Sequence, residues 1–240
     1  MTKIGEGAFY GCELTIITIP KSVTEIGHGA FSWCMGLTSI IVNEDNKVYD
    51  SRCKCNAIIE TKTNRLIQGF ANTVIHKSVT EIGKYAFSGC GLTSINIPES
   101  VKKISEGAFA GCTVLTSVTI PDSVTVIGEG AFCGCWKLTN VNIPNSVREI
   151  REWAFSGCKA MTSITIPNSV TEIGDWVFSD CENLKEIILY QTDPSKIKVS
   201  ERSGLYKTQA TLYVPKEGVA AYQKDPSWSE FAAIYPLPMI

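Results

Sequence analysis

The segment LTSVTIPDSVTVIGEGAFCGCWK (residues 115–137) is followed at once by LTNVNIPNSVREIREWAFSGCKA, which repeats it position for position. Leu92, Leu115, Leu138, Met161 and Leu184 succeed one another at steps of 23 residues, and Leu14 and Leu37 are one such step apart. The unit reads L-T-S-I-x-I-P-x-S-V-x-x-I-G-x-x-A-F-x-x-C-x-x. Its phenylalanine stands at Phe9, Phe31, Phe87, Phe109, Phe132, Phe155 and Phe178. Three residues beyond each lies a cysteine: Cys12, Cys34, Cys90, Cys112, Cys135, Cys158 and Cys181. So short a unit cannot bury its own apolar side. Stacked copies can, because each covers the face its neighbour exposes.

Within the unit, Leu-x-x-Ile-x-Ile alternates as a strand does. The proline after it has no N–H to give a ladder and ends the strand. Ser-Val-x-x-Ile-Gly is a second extended stretch closed by a glycine turn, with Gly27, Gly83, Gly128 and Gly174 at one repeat position. Gly-x-x-Ala-Phe-x-x-Cys has the three-to-four spacing of a helical turn with Ala, Phe and Cys inward. The expected fold is a right-handed solenoid, a mixed α+β repeat with a parallel β-sheet on one face and short strands and helical turns on the other. Residues 1–190 form the solenoid. Residues 43–69 hold an insert in which NAIIE and RLIQGF flank TKTN as a β-hairpin. Residues 191–240, where the period stops, form a C-terminal cap with a short helix from Glu217 to Gln223. Ile4 enters in mid-unit, so the first coil has no cap; truncation or end-to-end homo-association through that face is expected.

This pattern resembles the BspA-type leucine-rich repeat of bacterial surface proteins, and the resemblance runs along nearly the whole chain. It differs from the commoner leucine-rich repeat, which carries an asparagine where Ser22, Ser100, Ser123, Ser146 and Ser169 stand here; a hydroxyl can still bond neighbouring backbone. The resemblance implies a cell-surface or secreted protein that adheres to host proteins or to other cells. Periodicity alone implies an interaction scaffold.

The remaining signals narrow the chemistry. With 22 basic and 24 acidic residues the net charge is −2, which gives no electrostatic ground for a nucleic-acid partner. No apolar run approaches the roughly 20 residues that span a bilayer, so no membrane insertion is expected, and the first residues lack the apolar core of a signal peptide. Seven of ten cysteines share the buried column beside phenylalanine and read as free thiols filling space. Cys53, Cys55 and Cys133 lie outside it, with spacings unlike a zinc site. His28 and His76 occupy repeat positions, no nucleophile or phosphate motif occurs, and neither an enzyme nor any cofactor or metal is expected.

Function then falls to the surface. The strand face should point Ser94, Asn96, Ser117, Thr119, Asn140, Asn142, Ser163 and Thr165 outward. On the turn side Tyr85, Trp153 and Trp176 stand just before Ala-Phe (Val-Phe for Trp176), where other units carry glycine, and Trp33 and Trp136 flank cysteines. These aromatics read either as packing against the adjacent turn or as an exposed binding patch. The candidate partner-binding residues are Tyr85, Trp153, Trp176, Ser117, Thr119, Asn140 and Asn142. The expected ligand is a host extracellular or surface protein. The alternatives are a structural spacer within a larger surface protein, or a glycan-binding module using the tryptophans; an ice-binding array is a further reading that the asparagines interrupt.

Overall fold

The computed structural model describes residues 1–205, 209–231 and 233–238. The chain winds into a β-solenoid whose coils follow the repeat. Two extended stretches per coil make two faces. The second stretch gives the longer ladder: nine strands run from Tyr49–Asp50 to Lys198–Val199. The first three of these, Tyr49–Asp50, Ala57–Glu60 and Arg65–Gly69, pair antiparallel; the others pair parallel, coil on coil. The inserted hairpin is therefore part of the sheet, and Ile58, Ile59 and Leu66 are fully buried.

The Leu-x-x-Ile-x-Ile face is not one sheet. It forms parallel ladders of two, three and four strands, separated at the insert and again after Asn140–Asn142. At the first break a side chain stands in for a strand. Asn56 accepts from the Ile40 N–H through Oδ1 (2.8 Å) and donates to the Thr38 carbonyl through Nδ2 (2.9 Å), as a peptide group would. The sequence leads one to expect a continuous sheet here; the insert displaces the strand that would have continued it.

The core is the stack of repeated columns. Phe31, Phe87, Phe109, Phe132, Phe155 and Phe178 are all essentially buried. From Phe87 to Phe178 successive rings stack nearly parallel at centroid distances of 5.2, 5.3, 5.5 and 6.0 Å. Burying each ring is worth about 1.5–3 kcal/mol.

The Ala-Phe-x-x-Cys segment is not helical. It is a pair of tight turns, and the only α-helix among the described residues is Val219–Lys224. Backbone N–H groups explain why. Gly130 donates to Glu152 (2.8 Å), Phe132 to Ala154 (2.8 Å) and Gly134 to Ser156 (2.7 Å), each one coil further on. A helix would spend those donors inside the coil. Turning them outward needs left-handed residues before Ala-Phe and before Cys, as at Gly130 (φ 56°) and Gly134 (φ 70°). At the C-terminal end, Thr211–Val214 and Ile234–Pro236 extend the strand face, while the buried Tyr222 of the helix meets Trp228 edge-on and Trp228 stacks on Phe231.

Candidate interaction surface

Two surfaces carry the side chains singled out by the sequence. On the strand face, register pairing sets Ser94, Ser117 and Asn140 side by side in one row and Asn96, Thr119 and Asn142 in the next. All six are exposed, above the buried Val118 and Val141. Threonines at the strand entry tie the coils together: Thr116 donates to the Thr93 carbonyl (3.2 Å) and Thr139 to that of Thr116 (3.1 Å). The result is an exposed, polar, register-aligned array with a step of about 4.8 Å between strands.

The turn edge is the other surface. Tyr85, Trp153 and Trp176 hold left-handed backbone (φ 57°, 59° and 52°) at the position where Gly107 and Gly130 stand in neighbouring coils. Bulky residues pay roughly 1–2 kcal/mol for that conformation. Their rings have different surroundings. Tyr85 lies over Gly107, where an added Cβ would come within 2.2 Å of it, and its hydroxyl donates to Glu106 Oε1 (2.6 Å). Lys84 Nζ reaches the other oxygen of Glu106 (2.6 Å). The bond to Glu106 and then burial push the Tyr85 phenol up to about 12, and Lys84 and Tyr85 hold the Glu106 carboxyl below its usual range. Tyr85 is thus tied into the fold. Trp33 likewise lies across Gly89 and Gly111.

Trp153 and Trp176 stack on each other with centroids 4.7 Å apart and an interplanar angle of 26°. The Arg202 guanidinium sits 5.6 Å from the Trp176 centroid. Arg202 lies beyond the periodic stretch, and no pattern in the sequence announces this contact. Trp153 remains 39% exposed. On the coil before it stands Gly130, where an added Cβ would meet only the Cys133 Cβ, at 3.7 Å. A cleft of about 320 Å³ opens beside this edge, lined by Glu129, Glu149, Glu152 and Glu172, with Arg151 bound to Glu149 (3.3 Å). Trp136 is 55% exposed and makes no part of the stack.

Of the groups with reactive potential, His76 and six thiols of the column are hydrogen-bonded within the fold, while Cys53 is exposed. His76 Nδ1 accepts from the Ser78 N–H (3.2 Å), capping its turn. Six thiols of the column donate to a carbonyl of a preceding coil, as Cys112 does to Phe87 (3.1 Å) and Cys135 to Phe109 (3.2 Å). Burial pushes Cys112 and Cys181 up to about 12. Among the described residues no group of three or more His, Cys, Asp or Glu side chains is disposed to hold a metal ion.

The family model of the BspA type leucine rich repeat region matches residues 1–78 and 58–185, in six copies. The chain belongs to the BspA-type leucine-rich repeat family. No curated protein matches the sequence. Among solved structures, this BspA-type chain is similar to a leucine rich cell surface protein of Faecalibacterium prausnitzii, at 35% identity and a TM-score of 0.71 over 79% of this chain and 51% of that one. It is also similar to a leucine-rich repeat protein of Eubacterium ventriosum, at 25% identity and a TM-score of 0.73 over 95% of this chain and 64% of that one. The pneumococcal vaccine antigen PcpA shares the fold, with a TM-score of 0.81 and 22% identity over 100% of this chain and 60% of its own. The chain thus spans between about half and two thirds of these relatives' lengths.

The serine column that sets the BspA-type repeat apart from the commoner one is only partly a ladder. Ser22 donates to the Met1 carbonyl (2.8 Å), Ser146 to that of Val124 (2.6 Å) and Ser123 to that of Val101. The buried hydroxyls of Ser100 and Ser169 have no partner among the described residues. Hydrogen bonding between coils is therefore carried mainly by the backbone, with the threonines and the column's thiols adding to it.

Proposed function

We propose that this BspA-type chain is a protein-binding module of a bacterial cell-surface protein, adhesin-like in action and non-enzymatic, whose ligand is a host extracellular protein or a protein of a partner cell. A leucine-rich repeat scaffold is the coarse reading that family membership supports. The relative from F. prausnitzii is itself described as a cell surface protein. The observation that carries the finer reading is the exposed, register-aligned strand face of Ser117, Thr119, Asn140 and Asn142, which can lie flat against a partner without reordering. Tyr85, Trp153 and Trp176 form the second candidate patch.

The test is binding of the chain to immobilised extracellular-matrix and plasma glycoproteins, with Thr119→Lys/Asn142→Lys and Trp153→Ala/Trp176→Ala alongside. Saturable binding, lost in the lysine pair and at least partly kept in the alanine pair, is expected. Binding lost only in the alanine pair would move the site to the turn edge. No saturable binding to any member would replace this reading with that of a spacer.

A further inference from the structure

We propose that the outer edge of the Ser39–Val42 strand docks an extended, acidic segment of a protein partner, which joins the sheet as a parallel strand. This rests on the protein-binding reading above and gives that ligand a further site and a chemical form.

The strand face breaks at this strand. Ser39–Val42 pairs parallel with Ile16–Ile19 on one side and with no strand among the described residues on the other. The Ser39 N–H reaches the Thr15 carbonyl (3.3 Å) and the Asn43 N–H that of Ile19 (2.9 Å). Backbone groups alternate in direction along a strand, so Ser39, Ile41 and Asn43 face the paired side, and Ile40 and Val42 face the open one. Asn56 answers the Ile40 N–H. The Ile40 carbonyl, and both the N–H and the carbonyl of Val42, have no partner among the described residues. A cleft of about 340 Å³ opens here, lined by the strand's own Ile40, Ile41 and Val42 and by Ser51, Lys54 and Asn56 of the insert. That volume lies within the range of ligand sites.

The unanswered groups read acceptor, donor, acceptor, which a parallel neighbour matches. A residue set beside Ile41 gives its N–H to the Ile40 carbonyl and takes the Val42 N–H on its own carbonyl. The strand pairs of this face are all parallel, so the added segment continues their geometry. The side chain of that residue lies next to Ile41, which is 52% exposed, with Ile16, 59% exposed, on the strand beyond. An apolar residue fits there. The charge comes from Lys54, which lines the cleft, is exposed and forms no ion pair among the described residues, whereas Arg52 is held by Asp50 (2.6 Å). Glu44 and Asp45 follow the strand but do not line the cleft. A carboxylate on the incoming segment therefore answers Lys54. The edge is also undefended. Edge strands commonly carry a charge or a proline that prevents pairing, and Ile234–Pro236 at the far limit of this face carries Pro236. Ser-Ile-Ile-Val has neither, and its branched residues favour a strand.

The experiment titrates the isotope-labelled whole chain with a blocked hexapeptide, Ser-Val-Asp-Val-Ser-Gly, and with the same peptide carrying lysine for aspartate. It follows backbone amide shifts and hydrogen exchange. Val42→Pro removes the one outward donor. That N–H lies outside the ladder to Ile16–Ile19, and proline is tolerated on an edge, so the fold is kept, as its unfolding midpoint will show. Lys54→Glu reverses the charge at an exposed position. The expected result is saturable binding of the aspartate peptide with a dissociation constant on the order of 1 mM. Shifts should gather on Ile40, Ile41 and Val42, and exchange of the Val42 amide should slow roughly tenfold at ten times that concentration. Binding should weaken roughly three- to tenfold in Val42→Pro and in Lys54→Glu, and be unchanged in Thr119→Lys/Asn142→Lys. The lysine peptide should prefer Lys54→Glu to the parent. Saturation that leaves the Val42 amide unprotected, full binding in Val42→Pro, or equal binding of the two peptides to the parent overturns the proposal. So does an aspartate peptide that fails to saturate by about 10 mM. If Val42→Pro does not fold, amide protection and the two peptides still decide. If the peptide fails while a glycoprotein binds through the strand face, this edge is refuted and the adhesin reading stands. If the peptide protects Val42 and no glycoprotein binds, the edge stands and the host-protein reading falls.

Discussion

At the scale of single residues, the turn edge shows two ways to occupy a left-handed position. Gly107 meets the backbone demand and leaves room that the Tyr85 ring takes up. Trp153 meets it against preference, and stacking on Trp176 offsets part of the cost. The two positions should therefore respond oppositely. Gly107→Ala adds a Cβ at φ 58° and 2.2 Å from the Tyr85 ring, and is expected to destabilise by about 2 kcal/mol. Trp153→Gly is expected to leave stability within about 1 kcal/mol of the parent, since relief of strain balances lost stacking. Urea unfolding of both variants beside the parent decides this; equal losses would show that ring packing, not backbone, governs the column.

At the scale of elements, the phenylalanine stack is the seam that joins coil to coil. Each ring touches its neighbours above and below, so removing one cuts two interfaces. Phe132, between Phe109 and Phe155, is the central case. Phe132→Ala is expected to cost about 3–5 kcal/mol. In a nearest-neighbour stack that loss should also weaken the coupling between the two halves. Hydrogen exchange should then find the coils before Ala131 and those after it opening at different urea concentrations, where the parent opens as one. The turn segment beside this ring carries the spacing of a helix but not its bonds. Apolar spacing reports which side chains face inward. It does not report whether an N–H is answered within the coil or by the next one, which is why the helical expectation failed there.

At the scale of the molecule, the buried thiols set an alkaline limit. Cys112 and Cys181 are pushed from an ordinary value of 9.0 up to about 12 by burial, and Cys90, Cys135 and Cys158 are pushed well up by the same cause. Below about pH 9 these thiols are protonated whether the chain is folded or not, and their contribution is fully present. Between about pH 9 and 12 the unfolded chain loses protons that the folded chain keeps, so stability falls as pH rises. The urea midpoint should hold steady from neutrality to about pH 9 and then drop, and the drop should be shallower in Cys112→Ala/Cys135→Ala. The same slope in the variant would assign the effect to tyrosines such as Tyr85, which shift in the same direction.

The sequence by itself determined the repeat, the inward columns of Phe, Cys, Leu and Ile, and the outward rows from Ser94 to Thr165. Those follow from periodicity, because a unit that recurs every 23 residues must present the same side to its neighbours each time. The tertiary structure alone decided that the continuous sheet runs along the second stretch and includes the hairpin. Asn56 in place of a strand, and Arg202 over Trp176, were likewise settled only there. Each depends on which coil lies beside which once the insert and the last turns break the period. That adjacency is fixed by packing and backbone bonds between residues far apart in the chain, where no local pattern records it.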